Sequence, residues 1–182
     1  DTWASGADAE ASARAALCFD LRALAGDVEL GEALRQTIAA HLPNDRLTRI
    51  FAREGTRIDI PLSTFGRIEV EEVDGVTGVN LRTRAIQPVV RLARALAVDI
   101  GALDSSNTFD RLRAVGASDH PLAAQAKGLV PSFTTLVDVH LREQMQAAER
   151  GEQPTDLVDP DAMHRSQQNL LKETLKDVQS AR

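Results

Sequence analysis

Two aspartates one residue apart, Asp159 and Asp161, stand in the string GEQPTDLVDPDAM at residues 151–163. That spacing is one by which paired carboxylates hold a divalent cation. Pro160 lies between them, however, and an apolar-periodic run follows, where acids meet the positive end of a helix dipole. The pair is therefore expected to open a helix, with Asp159 as N-cap, Pro160 at the first helical position and Asp161 behind it. Gly151 is expected to close the preceding helix in a left-handed conformation, and Pro154 to block its resumption. His41, His120, His140 and His164 form no i, i+4 pair and have no cysteine companions, so no metal site is expected. No serine lies in a nucleophile-elbow sequence, and no catalytic residue is assigned.

Arginines carry the stronger chemical hint. In RIEVEEVDGVTGVNLRT, Asp74-Gly75 is a two-residue hairpin signal. A turn there sets Val70 opposite Val79, Ile68 opposite Leu81, and Arg67 opposite Arg82, with Arg84 continuing the same face. Like charges directly opposed weaken a strand pair, and the start of the next helix offers unpaired N–H groups and a positive dipole end. Arg67, Arg82 and Arg84 are thus candidates for phosphate or nucleotide contact; diagonal neutralisation by Glu69 and Glu71 is the structural alternative. Asp20 lies between Leu17 and Leu21 on an apolar stripe, where a carboxylate is costly unless paired. It is expected either in a buried salt bridge, with the hairpin arginines as candidate partners, or in orienting a substrate or a neighbouring catalytic domain. Arg46, Arg49, Arg53 and Arg57 recur at helical spacing, as a solvated face or a docking face for an acidic partner.

The elements that must position these groups are mostly helical. Ala13, Ala16, Leu17, Leu21 and Leu24 form one stripe; Leu30, Leu34, Ile38 and Leu42 form a second after the cap Asp27. Pro43-Asn44 precedes a third helix carrying Leu47, Ile50 and Phe51, which ends near Gly55 or Arg57. Residues 58–66 read as an extended connection because Pro61 keeps its predecessor out of the helical region. A fourth helix starts at about Gln87, and a short one covers about 107–115. Two long helices end the chain, with Phe133, Leu136, Val137, Leu141 and Met145 facing Met163, Leu170, Leu171, Leu175 and Val178 as antiparallel neighbours. The expected fold is mainly α, a helical bundle with one small β-hairpin at about residues 67–83, forming a single domain over 1–182.

Composition narrows the function classes. A net charge of −6 argues against a general nucleic-acid or anionic-membrane binder. The single cysteine, Cys18, excludes a disulfide framework and favours a reduced cytoplasmic setting. Neither a secretory signal nor a membrane span is evident. The start at Asp1 without an initiator methionine suggests a piece of a longer protein.

Several segments resemble, in order, the nucleotidyltransferase substrate-binding domain family. They are FDLR at 19–22 with Gly26-Asp27, PLSTFGR at 61–67, VNLRTRAIQPVVRLARALA at 79–97, Thr108 to Leu112, and LREQMQAAERGEQPTDLVDPDAM followed by LLKETLKDVQ. Where that family commonly has a Lys-Arg-Gly-Gly-like stretch, this chain has Arg82, Thr83, Arg84 and Ala85, so charge is kept and backbone permissiveness is lost. The resemblance implies a helical accessory domain near the end of a bacterial signal-transduction protein. Upstream it implies a nucleotidyltransferase domain similar to that of PII uridylyltransferase, and CBS or cyclic-nucleotide-binding regulatory domains. Magnesium and a nucleoside triphosphate would belong to the catalytic domain: the Gly-Ser turn and strand carboxylates that hold them do not occur here, and this chain alone is expected to be catalytically inert with no cofactor of its own. Arg67, Arg82, Arg84 and Asp20 would face nucleotide or acceptor, which could be a protein. The alternative function is a protein-interaction or dimerisation module relaying signals from the regulatory domains.

Overall fold

The structure is a computed structural model that describes residues 18–102 and 104–181. Among these residues the chain forms six α-helices and a three-stranded antiparallel sheet, mainly α as expected. The helices are α1 Val28–Ala39, α2 Asp45–Thr56, α3 Gln87–Asp99, α4 Thr108–Ala117, α5 Ala123–Glu149 and α6 Arg165–Ser180. The strands are β1 Glu71–Val73, β2 Val76–Asn80 and β3 Leu157–Val158, in the order β1-β2-β3. None of the helices is long and apolar enough to cross a membrane.

The chain divides into two compact units, one comprising the described part of Asp1–Gly55 with Val90–Lys127, the other Thr56–Val89 with Gly128–Arg182. In the first, helix starts follow side-chain caps. Asp27 Oδ1 accepts from the Glu29 and Leu30 N–H groups, Asn44 Oδ1 from those of Arg46 and Leu47, and Asn107 Oδ1 from that of Phe109. Each bond satisfies a donor that the first helical turn leaves orphaned. The core gathers Phe19, Ile38, Leu47, Phe51, Ala95 and Val98, with the rings of Phe19 and Phe51 edge to face at 5.5 Å. Each such aromatic pair contributes about 0.5–1.5 kcal/mol beyond burial.

The first two apolar stripes behave differently from expectation. The helical turn at Cys18 and Phe19 ends at Asp20, so Leu21 and Leu24 lie outside it and are exposed; Ala13, Ala16 and Leu17 lie outside the described residues. In α1 only Ile38 is buried, while Leu30 is 69% and Leu34 44% exposed. Periodicity predicted the helix correctly but not how much of its apolar face meets the core.

In the second unit the hairpin turns at Asp74-Gly75, both with positive φ (52° and 80°), as a two-residue turn of this hand requires. Its register, Val73 with Val76 and Glu71 with Gly78, is the expected one, but the ladder stops there. Val79 and Asn80 pair instead with Val158 and Leu157 of β3. Val79 and Val158 are buried whereas Val70 is 48% exposed, so β3, on the other edge of β2 from β1, is where Val79 finds its apolar partner. Ile68 bridges Leu62.

Gly151, at φ +74°, ends α5 as expected: its N–H donates to Ala148 O and that of Glu152 to Ala147 O, both bonds of a Schellman closure. The expected cap at Asp159 does not form. Its Oδ1 accepts the Asp161 N–H at 2.9 Å in a local turn, and α6 begins only at Arg165, capped by His164, whose Nδ1 accepts the Ser166 N–H and whose own N–H donates to Gln167 Oε1. A capping box satisfies two orphan donors at once, which a start at Pro160 could not match. Ser132, early in α5, donates to Asp177, late in α6, at 3.0 Å, as antiparallel neighbours would. Leu136, Leu171, Leu175 and Val178 are buried, whereas Leu141, Met145 and Leu170 are exposed.

Candidate functional site

The hairpin arginines do not stand as an opposed pair. Arg67 belongs to the turn before the hairpin, its N–H donating to Ser63 Oγ at 3.0 Å, and its residue is exposed. Arg82 opens a π-helical turn, Arg82–Ile86, that runs straight into α3. The opposition fails because β2 ends at Asn80, whose Oδ1 accepts the Thr83 N–H at 3.0 Å and starts the helical run earlier than expected. One of the donors that an anion could have used is thereby occupied.

Each of the two following arginines has an acid beside it. Arg84 donates to Glu69 Oε2 and to the Asp59 carbonyl, both at 3.3 Å, so Glu69 does neutralise one of these arginines, though from outside any strand ladder. Arg82 reaches Asp156 Oδ2 at 3.4 Å with its side chain 62% exposed. Asp156 Oδ1 also lies 2.9 Å from His140 Nε2. This cluster of Arg82, Asp156 and His140 was not anticipated, since its three residues come from a π-turn, an irregular joint and α5. Arg82 keeps most of its donors toward solvent.

Asp20 lies in the first unit and finds partners other than those expected. It accepts from Arg94 of α3 and from Arg111 Nη1 of α4, the latter at 2.7 Å, in place of the hairpin arginines. Arg111 is buried, and burial pushes its guanidinium down from the usual arginine range, with Asp20 opposing that shift. The arginines of α2 form a ridge: Arg46, Arg49 and Arg53 are exposed and, with Ile50, line a shallow depression of about 520 Å³. Arg57 falls just beyond the helix end at Thr56.

The second unit carries a groove of about 690 Å³ that sequence reasoning did not single out. One wall is α5, through Arg142, Glu143, Gln146, Ala147 and Arg150; β2 contributes Val76 and Thr77. The joint supplies Glu152, Gln153, Thr155, Leu157 and Asp159, and Met163 and Gln167 close the far end. The volume lies within the range of small-ligand sites, about 300–1,000 Å³. Its signal was the Gly151–Met163 string itself, which folds back as a wall rather than serving only as a connector. Among the described residues no group of three or more His, Cys, Asp or Glu side chains is placed to hold a metal.

In the groove lining Arg150 Nη2 lies 2.8 Å from Glu152 Oε2. The bond to Arg150 draws the Glu152 carboxyl below the usual glutamate range. A depressed carboxyl favours the native pairing above the unfolded-state pKa, and that contribution disappears as pH falls through the lowered native value. Carboxyl NMR should therefore show Glu152 titrating below an ordinary glutamate, and moving back up in Arg150→Gln. An ordinary midpoint in the unsubstituted chain would contradict the pairing.

Searches of curated proteins and of solved structures each found no match. Residues 45–182 match the family described as "putative nucleotidyltransferase substrate binding domain", a stretch that includes α2 through α6, all three strands, the hairpin arginines and the whole groove. The chain belongs to that family.

Proposed function

We propose that the two units together serve as one substrate-binding domain beside a PII-uridylyltransferase-like nucleotidyltransferase domain, in a cytoplasmic bacterial signalling protein with CBS or cyclic-nucleotide-binding domains. Magnesium and the nucleoside triphosphate belong to the catalytic partner in this reading. Arg82 and Arg84, with Arg67, contact nucleotide phosphate or the acceptor in the second unit, and Asp20 serves substrate binding in the first by holding Arg94 and Arg111 in place. The observation that carries the reading is the family match across residues 45–182. The exposure of Arg82 supports its role, because a guanidinium held by one acid at 3.4 Å can exchange that partner for phosphate at little cost.

The test joins this chain to its nucleotidyltransferase domain and measures nucleotide affinity by calorimetry. Replacing Arg82 and Arg84 together by alanine should weaken binding by about tenfold or more, as for loss of charge-assisted hydrogen bonds. Unchanged affinity would remove these arginines from the site.

The exposed ridge of Arg46, Arg49 and Arg53 favours a second reading, in which the domain is an interaction or dimerisation module. Sedimentation of the isolated chain separates the two: a stable dimer through an apolar face supports the module, and a monomer at every concentration rejects dimerisation.

A further inference from the structure

We propose that the groove of the second unit binds an extended, positively charged peptide segment, which makes it the acceptor side of the transfer rather than the nucleotide side. This rests on the reading of the chain as a substrate-binding domain and adds a substrate class to it.

Shape comes first. The α5 wall runs from Arg142 to Arg150, about 12 Å at 1.5 Å per residue. An extended chain rises about 3.3 Å per residue, so about four residues fit along it. The groove is an open trough between a helix, a strand start and an irregular joint, which suits a peptide laid lengthwise.

Charge decides what kind of peptide. Glu143, Glu152 and Asp159 face Arg142 and Arg150, so three carboxylates against two guanidinia leave one net negative charge. Arg150 is already committed: its bond to Glu152 raises its pKa, and the charges of Glu143 and Glu149 push in the same direction. With Arg150 paired to Glu152 at 2.8 Å and the lining net negative, a lysine or arginine side chain is favoured over a nucleoside triphosphate. The remaining lining fits peptide groups. Gln146, Gln153 and Gln167 can each donate to a carbonyl and accept from an N–H, while Leu157 and Met163 offer apolar contact. Two sites of opposite sign then divide the work, arginines of the π-turn for the anion and the groove for the acceptor.

Fluorescence anisotropy with a labelled tetrapeptide carrying two lysines, and with its counterpart carrying two glutamates, tests the assignment on the full chain. The lysine peptide should bind at least tenfold more tightly. Ala147→Trp, which fills the trough, should abolish that binding. Glu143→Lys, a charge change that removes no packing, should reverse the preference, with circular dichroism confirming the fold of both variants. Nucleotide affinity of the chain joined to its nucleotidyltransferase domain is measured separately from peptide binding, so failure of the nucleotide reading and failure of the groove reading give different results. Equal binding of the two peptides, no binding of either, or an unchanged preference in Glu143→Lys would overturn the proposal.

Discussion

Replacing Asp20 by alanine is expected to destabilise the chain by about 2–3 kcal/mol, far more than removing Glu69 beside Arg84. Arg111 is only 3% exposed and spends three donors inside the unit: Nη1 on Asp20, Nη2 on the Phe19 carbonyl and Nε on the Ser105 carbonyl. Arg94 shares the same carboxylate, and its Nε is buried without a partner among the described residues. One anion therefore serves two guanidinia. Without it, a buried cation stays unpaired while a second like charge faces it, and the charge of Arg94 already pushes Arg111 downward. The estimate sits at or below the lower end of the range for broken buried pairs because the Asp20 side chain is 37% exposed and water can partly screen the loss. Urea unfolding measures it, with Glu69→Ala as comparison. That variant removes a half-exposed pair worth about 0.2–1 kcal/mol. Asp20→Asn should fall between the two, keeping an acceptor and losing the charge. If Asp20→Ala costs no more than Glu69→Ala, the triad does not anchor the end of the Phe19 turn to α3 and α4.

What the sequence made legible was local. Asp27 before an amphipathic run and Asp74-Gly75 between strands are decided by bonds and φ angles within three residues of the signal, and both formed as read. Gly151 belongs with them. The hairpin arginines were legible as charged groups needing partners, but the Glu69–Arg84 pair depends on the chain turning helical after Asn80, since strand register would have set Glu69 diagonal to Arg82. Failures began where several local solutions were equally good. Asp159 could cap a helix or close a turn, and the choice fell to His164 and Gln167, which capped α6 better, and to β3, which drew Leu157 and Val158 into the sheet. A two-residue strand has no periodicity to detect. Asp20 announced that it needed a cation, but its partners lie 74 and 91 residues on, beyond any spacing rule. The groove was hidden for the same reason: its walls come from a hairpin, a long helix and a joint, and only the β2–β3 pairing brings them together.

That pairing hinges on Gly78, and Gly78→Ala is expected to destabilise the chain by about 1–3 kcal/mol, the range for overpacking. A Cβ at this position would stand 2.9 Å from the Val158 carbonyl oxygen and 3.0 Å from its carbon. Both are backbone atoms, so no rotamer change relieves the contact and β3 itself must move. The Val79 with Val158 and Asn80 with Leu157 pairs would loosen, and with them the bond from the Leu81 N–H to the Asp156 carbonyl at 3.2 Å. Asp156 carries Arg82 and His140, and Leu157 and Asp159 line the groove, so the displacement reaches both candidate sites. Gly128→Ala is the matched control. It lies in α5 with nothing within 4 Å of an added Cβ, and alanine there should raise stability by about 0.5–1 kcal/mol through helix propensity. Denaturant unfolding should separate the two variants with opposite signs, and amide exchange at Leu81 should quicken only in Gly78→Ala. Weaker lysine-peptide binding at unchanged secondary structure would follow from the same displacement. If both alanine variants were equally stable and Leu81 exchanged alike in each, the close approach of β2 and β3 would not be what holds the joint against the hairpin.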